Sequence, residues 1–305
     1  MAVTQTYHAN GKLLLSGEYL ILYGAKGIAL PLKVGQHLVV SDGNDTGLLE
    51  WNAFYDDRVW FSSKLNPCDY SILETNDPEK AETLSRIFKA ILHLNPFFHP
   101  KVGITFKTVL DANPDWGFGS SSTLISLMAQ YSGVDPFRLN ELVFNGSGFD
   151  IACATVNGPI FYIKNKPFQP VVLDYPFSDQ LFLVYSGKKM KTHSDVNAFL
   201  GKGKVSEKRI EEGSALADAF SNCRDQKEFD ILIHHHEELI SHLIGKTPIK
   251  REYFFDFQGE IKSLGAWGGD FYLVSSPLPF SEVQRYFGNK GLNILFQWKD
   301  LILNQ

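Results

Sequence analysis

Cysteine is scarce in this chain of 305 residues: Cys68, Cys153 and Cys223 stand far apart, with no C-x-x-C pair. That excludes a disulfide framework and a cysteine zinc site as organising devices. Long apolar runs are missing as well. Leu13-Leu14-Leu15 is broken at once by Ser16, Gly17 and Glu18, and no uninterrupted stretch approaches the roughly 20 residues that a membrane helix requires. No basic segment precedes an apolar core at the start of the sequence, so a secretory signal is not expected and a cytoplasmic enzyme is. Basic excess is absent too. A formal net charge of -5 and a pI near 6.0 argue against nucleic acid as the main partner and leave a small-molecule substrate. Neither an internal repeat nor a low-complexity segment is present.

The 44% hydrophobic and 21% charged residues are those of an ordinary globular chain, long enough for two domains with their own cores. Short apolar and aromatic runs at Val34 to Val40, Leu48 to Trp51 and Val59 to Phe61 are split by Asp, Gly and Asn, which predicts hairpin-like strands. Asn76-Asp77-Pro78 supplies a cap and a first-turn proline, and Leu84, Ile87, Phe88, Ile91 and Leu92 follow at helical spacing as far as Asn95-Pro96. Further strands are expected at Val102 to Phe106, Ile160 to Ile163, Val171 to Leu173, Leu181 to Tyr185, Phe271 to Val274 and Leu292 to Phe296. Helices are expected from Arg209 to Phe220, from Phe229 to Ile244 and from Ser281, with a domain boundary near Asp174-Tyr175-Pro176.

The most informative stretch is Asn113-Pro114-Asp115-Trp116-Gly117-Phe118-Gly119-Ser120-Ser121-Ser122-Thr123. Two glycines let the backbone bend with its N–H groups turned inward, and the apolar helical run behind them, with Leu124, Leu127 and Met128 inward, adds the positive end of a helix dipole. Four hydroxyls add neutral donors, one of which can reach a magnesium ion carried by a nucleotide. These are the parts of a phosphate cradle. The same pattern alone also describes an N-capped helix, because no lysine follows it as in a P-loop and no acidic ribose partner marks a dinucleotide fingerprint. Three companions add weight. Lys12 stands at the start of an apolar strand within His8 to Tyr19; Asn145 to Ala154 is a glycine turn that delivers Asp150 to a small-residue helix; and Lys262 to Phe271 forms another glycine loop ahead of a strand.

In this order the segments resemble the GHMP kinases, the family of galactokinase, homoserine kinase, mevalonate kinase and phosphomevalonate kinase. The likeness covers most of the chain and rests on G-K-x-x-L-x-G-E at Gly11 to Glu18, G-x-G-S-S at Gly117 to Ser121, and G-A-x-G-G-D at Gly265 to Asp270. Gly146 to Ala152 is close to the G-S-G-Y-D-I-A signature of one bacterial branch, and Gly17-Glu18-Tyr19 looks most like phosphomevalonate kinases. The resemblance implies an α+β, two-domain GHMP kinase fold: residues 1–175 ribosomal-S5-domain-2-like, residues 176–305 ferredoxin-like, and a nucleotide between them. It implies ATP and Mg2+ as cofactors. Asp150 is then the catalytic base and Lys12 the cation that pairs with it. Gly117, Gly119, Ser120, Ser121 and Ser122 form the cofactor-binding set, with Ser121 on the metal. Glu18, Gly265, Ala266, Gly268 and Gly269 belong to the substrate and closure loops.

Plainer readings stand beside these. Asp150 is also a candidate N-cap, Lys12 a surface lysine, the third loop a helix end before a strand, Asp270 a strand-start cap or a substrate contact, and Ser122 a hydroxyl that bonds a backbone carbonyl. Trp267 replaces a customary glycine and Asn10 a frequent proline, and no second magnesium carboxylate can be matched after the short central segment. His234 and Glu238 lie one helical turn apart, but His236 shares a stripe with Leu232, Leu239, Ile240 and Leu243, so core packing is favoured over metal binding. Lys188, Lys189 and Lys191 would suit a phosphorylated substrate, yet exposed charge runs are usually solvated faces. The expected activity is γ-phosphoryl transfer from ATP to mevalonate or phosphomevalonate. The alternatives are mevalonate diphosphate decarboxylation and a non-catalytic ligand-binding or regulatory role on the same fold.

Overall fold

The computed structural model describes residues 4–42, 46–188, 199, 205–265 and 269–304. Its contacts cluster into two compact units that interleave along the sequence. The first holds the chain up to Gly11, Val34–Pro114 and Phe118–Thr155; the second holds Lys12–Lys33, Asp115–Gly117 and everything from Val156 onward. This departs from a linear division at 175/176. The reason is strand length: β1 (Thr4–Ser16) and β2 (Gly27–Asp42) are each long enough to begin in one unit and finish in the other.

In the first unit, β3 (Leu49–Tyr55), β4 (Arg58–Leu65), β5 (Ile72–Thr75) and β6 (Ile104–Leu110) pair in the order β5-β4-β3-β6-β2, antiparallel except for β3 with β6. Alternation sets the buried face. Leu49, Trp51 and Ala53 point inward from β3, and Ile104 and Phe106 from β6. Trp51 pairs with Phe106 in register, and their rings stack at 5.3 Å. Helix α1 (Pro78–Leu94) starts where the sequence signals it, with the Asp77 side chain accepting from Lys80 N–H. It buries Ala81, Leu84, Ile87, Phe88 and Ile91, and Phe88 meets Phe106 edge-on at 5.5 Å. Burial of each such ring contributes on the order of 2 kcal/mol.

Helix α2 (Ser120–Ser132) follows the glycine loop and buries Leu127 and Met128 completely. Helix α3 (Pro136–Val143) was not anticipated, although Asp135-Pro136 repeats the Asp77-Pro78 signal and Asp135 accepts from the N–H groups of Phe137 and Arg138. Helix α4 (Phe149–Ala154) packs against α2.

In the second unit the first half of β2 pairs with β7 (Ile160–Tyr162), which pairs with β8 (Gln169–Pro170). The strand expected at Val171 to Leu173 is therefore displaced to the two residues before it. A separate antiparallel sheet has the order β10-β11-β9-β12, built from β9 (Leu181–Tyr185), β10 (Glu260–Leu264), β11 (Phe271–Ser275) and β12 (Leu295–Gln297). Helices α5 (Glu207–Asn222), α6 (Gln226–Ile244) and the short α7 (Ile249–Tyr253) lie between β9 and β10 in sequence. Helix α8 (Phe280–Asn289) joins β11 to β12, and α9 (Trp298–Leu301) follows. Strand, helices, two strands, helix and strand in this order make a ferredoxin-like unit, as expected. Its core includes Phe182, Val184, Phe254, Tyr272, Val274 and Phe287. Among the described residues no helix is long and apolar enough to cross a membrane.

Candidate active site

Gly117 and Gly119 adopt left-handed backbone conformations, φ +71° and +89°, which glycine reaches without a Cβ penalty. Gly119 is the N-cap of α2 and brings no side chain to the first-turn N–H groups, which have no partner inside a helix. The neighbouring hydroxyls divide in two. Ser122 Oγ donates to Gly119 O at 2.8 Å and Thr123 Oγ1 to Gln36 Oε1 at 2.7 Å, so both serve the fold. Ser121 is exposed, and Ser120 is half-buried beside Phe118, Pro114 and Thr123 in a small pocket.

Helix α4 begins in the same manner, at Gly148 with φ +88° and no side-chain cap. Asp150 is therefore not the N-cap but a first-turn residue, where the helix dipole favours its negative charge. Its Oδ1 is buried without a hydrogen-bond partner in the described structure.

The second unit gathers residues from all three signatures at Gly117. Lys12 Nζ donates to Gly117 O at 3.0 Å. A Cβ on Gly117 would overlap the Asp270 carboxylate, so the side chain of Asp270 packs against this glycine. Next to it, Trp116 rests edge-on against Phe296 at 5.3 Å and lies 6.5 Å from Phe271, and Tyr185 OH donates to Asp115 O at 3.3 Å. Trp116 carried no expectation from sequence; the structure makes it the anchor of this segment. The loop carrying Asp270 connects β10 to β11, not a helix to a strand. Gly265 has φ +82°, and a Cβ on Gly269 would meet Leu264 O. Ala266, Trp267 and Gly268 lie outside the described residues, as do Lys189 and Lys191; Lys188 is exposed.

Glu18 goes elsewhere. Its carboxylate is buried in the second unit, with Oε1 bonded to Lys262 Nζ and Oε2 3.0 Å from His236 Nε2. Gly17 N–H donates to the same Nε2 at 3.4 Å, and Nδ1 is buried without a hydrogen-bond partner in the described structure. Burial, and then Lys262, hold His236 below its ordinary pKa. For Glu18 burial acts upward, but Lys262 and His236 outweigh it and keep the carboxylate below its usual range. Glu237 lies in the same cluster and accepts from Ser263 N–H at 3.1 Å. Burial pushes it up to about 8, against the opposing pull of Lys262. His236 is thus a core residue, as its stripe position predicted, while His234 and His235 are exposed. Lys262 was missed. No sequence signal separates a lysine on a buried strand from one on an exposed strand.

No family model matches the chain, and no curated protein matches it. Solved structures do match. Mevalonate kinase from Methanococcus jannaschii superimposes with a TM-score of 0.72 at 18% identity over 99% of each chain. Phosphomevalonate kinase from Streptococcus pneumoniae, in complex with phosphomevalonate and AMPPNP, gives 0.70 at 15% identity over 97% of this chain and 99% of that one. L. major mevalonate kinase in complex with R-mevalonate gives 0.68 at 14% identity over 99% and 97%. With the β10-β11-β9-β12 strand order of the second unit and the glycine-opened α2 of the first, these likenesses establish that the chain has the two-domain GHMP kinase fold of the mevalonate and phosphomevalonate kinases.

Proposed function

We propose that this protein is an ATP- and Mg2+-dependent kinase that transfers the γ-phosphoryl group to mevalonate or phosphomevalonate. The observation that carries the reading is the meeting of Lys12, Gly117 and Asp270, one from each signature, on the loop that opens α2. A polyphosphate suits that helix start because its first-turn N–H groups have no side-chain cap. Gly117, Gly119 and Ser120 would hold the phosphates, and the exposed Ser121 hydroxyl would hold the metal. When bound, the magnesium ion supplies neutralisation of charge on the phosphates. Ser122 contributes its backbone N–H rather than its hydroxyl, which is committed to Gly119 O.

Asp150 is the residue we assign to the acceptor hydroxyl. In this reading its carboxylate takes the proton as the acceptor oxygen attacks the γ-phosphorus and ADP departs, and the lack of a partner on Oδ1 leaves that atom uncommitted. Lys12, which donates to Gly117 O, would supply positive charge for the transfer. Glu18 acts through Lys262 as a positioning residue for the turn after β1, and Gly265 and Gly269 give the third loop its bends. The test is magnesium-dependent ADP release with mevalonate, phosphomevalonate, homoserine and galactose as separate acceptors, with products identified by mass. Asp150→Ala should lower turnover about 10²- to 10⁴-fold, the range of a general base, while leaving ATP binding intact. Carbon dioxide released with ADP would point to the decarboxylase instead. ATP binding with no turnover on any acceptor would point to a non-catalytic role.

A further inference from the structure

We propose that His8, His37 and Asp111 form a binding site for a divalent first-row transition metal, with zinc as the expected ion, distinct from any magnesium carried by a nucleotide. All three residues belong to the first unit. His8 lies on β1, His37 on β2 next to it, and Asp111 immediately after β6, which also pairs with β2. Ligands on adjacent strands are fixed by the backbone, not by chance meeting of loops.

One ligand atom from each side chain lies within 4.8 Å of the others. The two imidazole centroids are 4.5 Å apart, and His37 Nε2 stands 3.4 Å from Asp111 Oδ1. A tetrahedral zinc with bonds of about 2.0–2.1 Å has ligand–ligand edges of about 3.3 Å, so this pair already has the required spacing. The His8 ring is exposed, and its ligand atom lies within 4.8 Å of the other two.

The carboxylate is also oriented from behind. Asp111 Oδ2 accepts from Gly35 N–H at 2.9 Å, and Asp111 N–H donates to Gly35 O at 3.1 Å. Gly35 is itself wedged, since a Cβ there would overlap Ala9 O. Such outer-shell bonds hold a ligating carboxylate in place and leave its other oxygen for the metal. Two imidazoles and one carboxylate suit zinc and its transition-metal neighbours, whereas magnesium and calcium prefer oxygen alone. An ion pair between His37 and Asp111 accounts for two of the three residues but not for the second imidazole beside them.

The test needs no enzymatic activity, so its outcome is separate from that of the kinase reading. The full chain, stripped with a chelator, is titrated with Co2+ by visible absorption and with Zn2+ by competition. We expect one saturable Zn2+ per chain, a Co2+ spectrum of low coordination number, and a zinc-induced rise in Tm. His8→Gln and His37→Gln should each weaken Zn2+ by about tenfold or more and abolish that rise, with the metal-free Tm unchanged. The paired His234→Gln/His235→Gln variant, which removes other exposed imidazoles, should bind as the unmodified chain does. Absence of saturable binding, or binding that survives both His8→Gln and His37→Gln, would overturn the proposal.

Discussion

At the start of α2 the backbone N–H groups lack a side-chain cap; around Glu18, carboxylate and imidazole atoms without hydrogen-bond partners are sealed from water. The first set costs little, because water satisfies it until an anion replaces the water. The second set has no such recourse. A buried charge must be paired or neutralised, and the cluster does both: Glu18 is paired with Lys262, while burial favours the protonated form of Glu237. The same signature feeds both regions. Lys12 reaches the loop at Gly117, whereas Glu18 enters the core of the second unit.

Breaking the sealed region should have the largest effect. Lys262→Met leaves Glu18 buried without its cation, and removal of one partner of a buried pair costs about 3–5 kcal/mol. Chemical denaturation should register that loss. A variant as stable as the parent would mean that water reaches the cluster. Breaking the open region should spare stability more than binding. Gly119→Asp puts a carboxylate where phosphates are expected and forces a residue with a Cβ to φ +89°. ATP affinity, read by titration, should fall about tenfold, equivalent to about 1.4 kcal/mol; unchanged affinity would remove α2 from the nucleotide site.

Helix α1 supplies the contrast for α2, because its start is closed by a side chain. Asp77→Ala deletes that cap and should cost about 1 kcal/mol of stability, with ATP affinity untouched. The sealed cluster also predicts a slope with pH. Glu237 is raised from 4.5 to about 8 in the fold, so the folded state holds the extra proton between those values. Its contribution to stability is therefore fully present below the unfolded value and is lost as pH climbs toward 8. Glu18, held low, acts in the opposite sense and loses its contribution as pH falls through the acid range. Thermal melts from pH 5 to 8 should decline less steeply for Glu237→Gln than for the parent. Identical slopes would show that Glu237 is not the group responsible.

Much of the local structure was legible in advance. Asp77-Pro78 fixed the start of α1, and the stripe from Leu84 to Ile91 fixed its buried face, because caps and helical periodicity act over a few residues. The glycine loop was legible for the same reason. Asp135-Pro136 carried an equal signal that went unread, and it heads α3. The site was less accessible. That Trp116 anchors its segment among Phe271 and Phe296, and that Asp270 packs on Gly117, depends on residues more than 150 positions apart.

The sequence by itself determined where helices begin, which strand faces are apolar, and the three glycine-rich segments whose backbones need positive φ, since these follow from local sterics and side-chain chemistry. Only the tertiary structure decided that β1 and β2 thread two interleaved units, that Lys12 turns to Gly117 while Glu18 turns to Lys262, and that His8, His37 and Asp111 converge. Those outcomes depend on strand pairing and burial between distant segments, which no local pattern encodes.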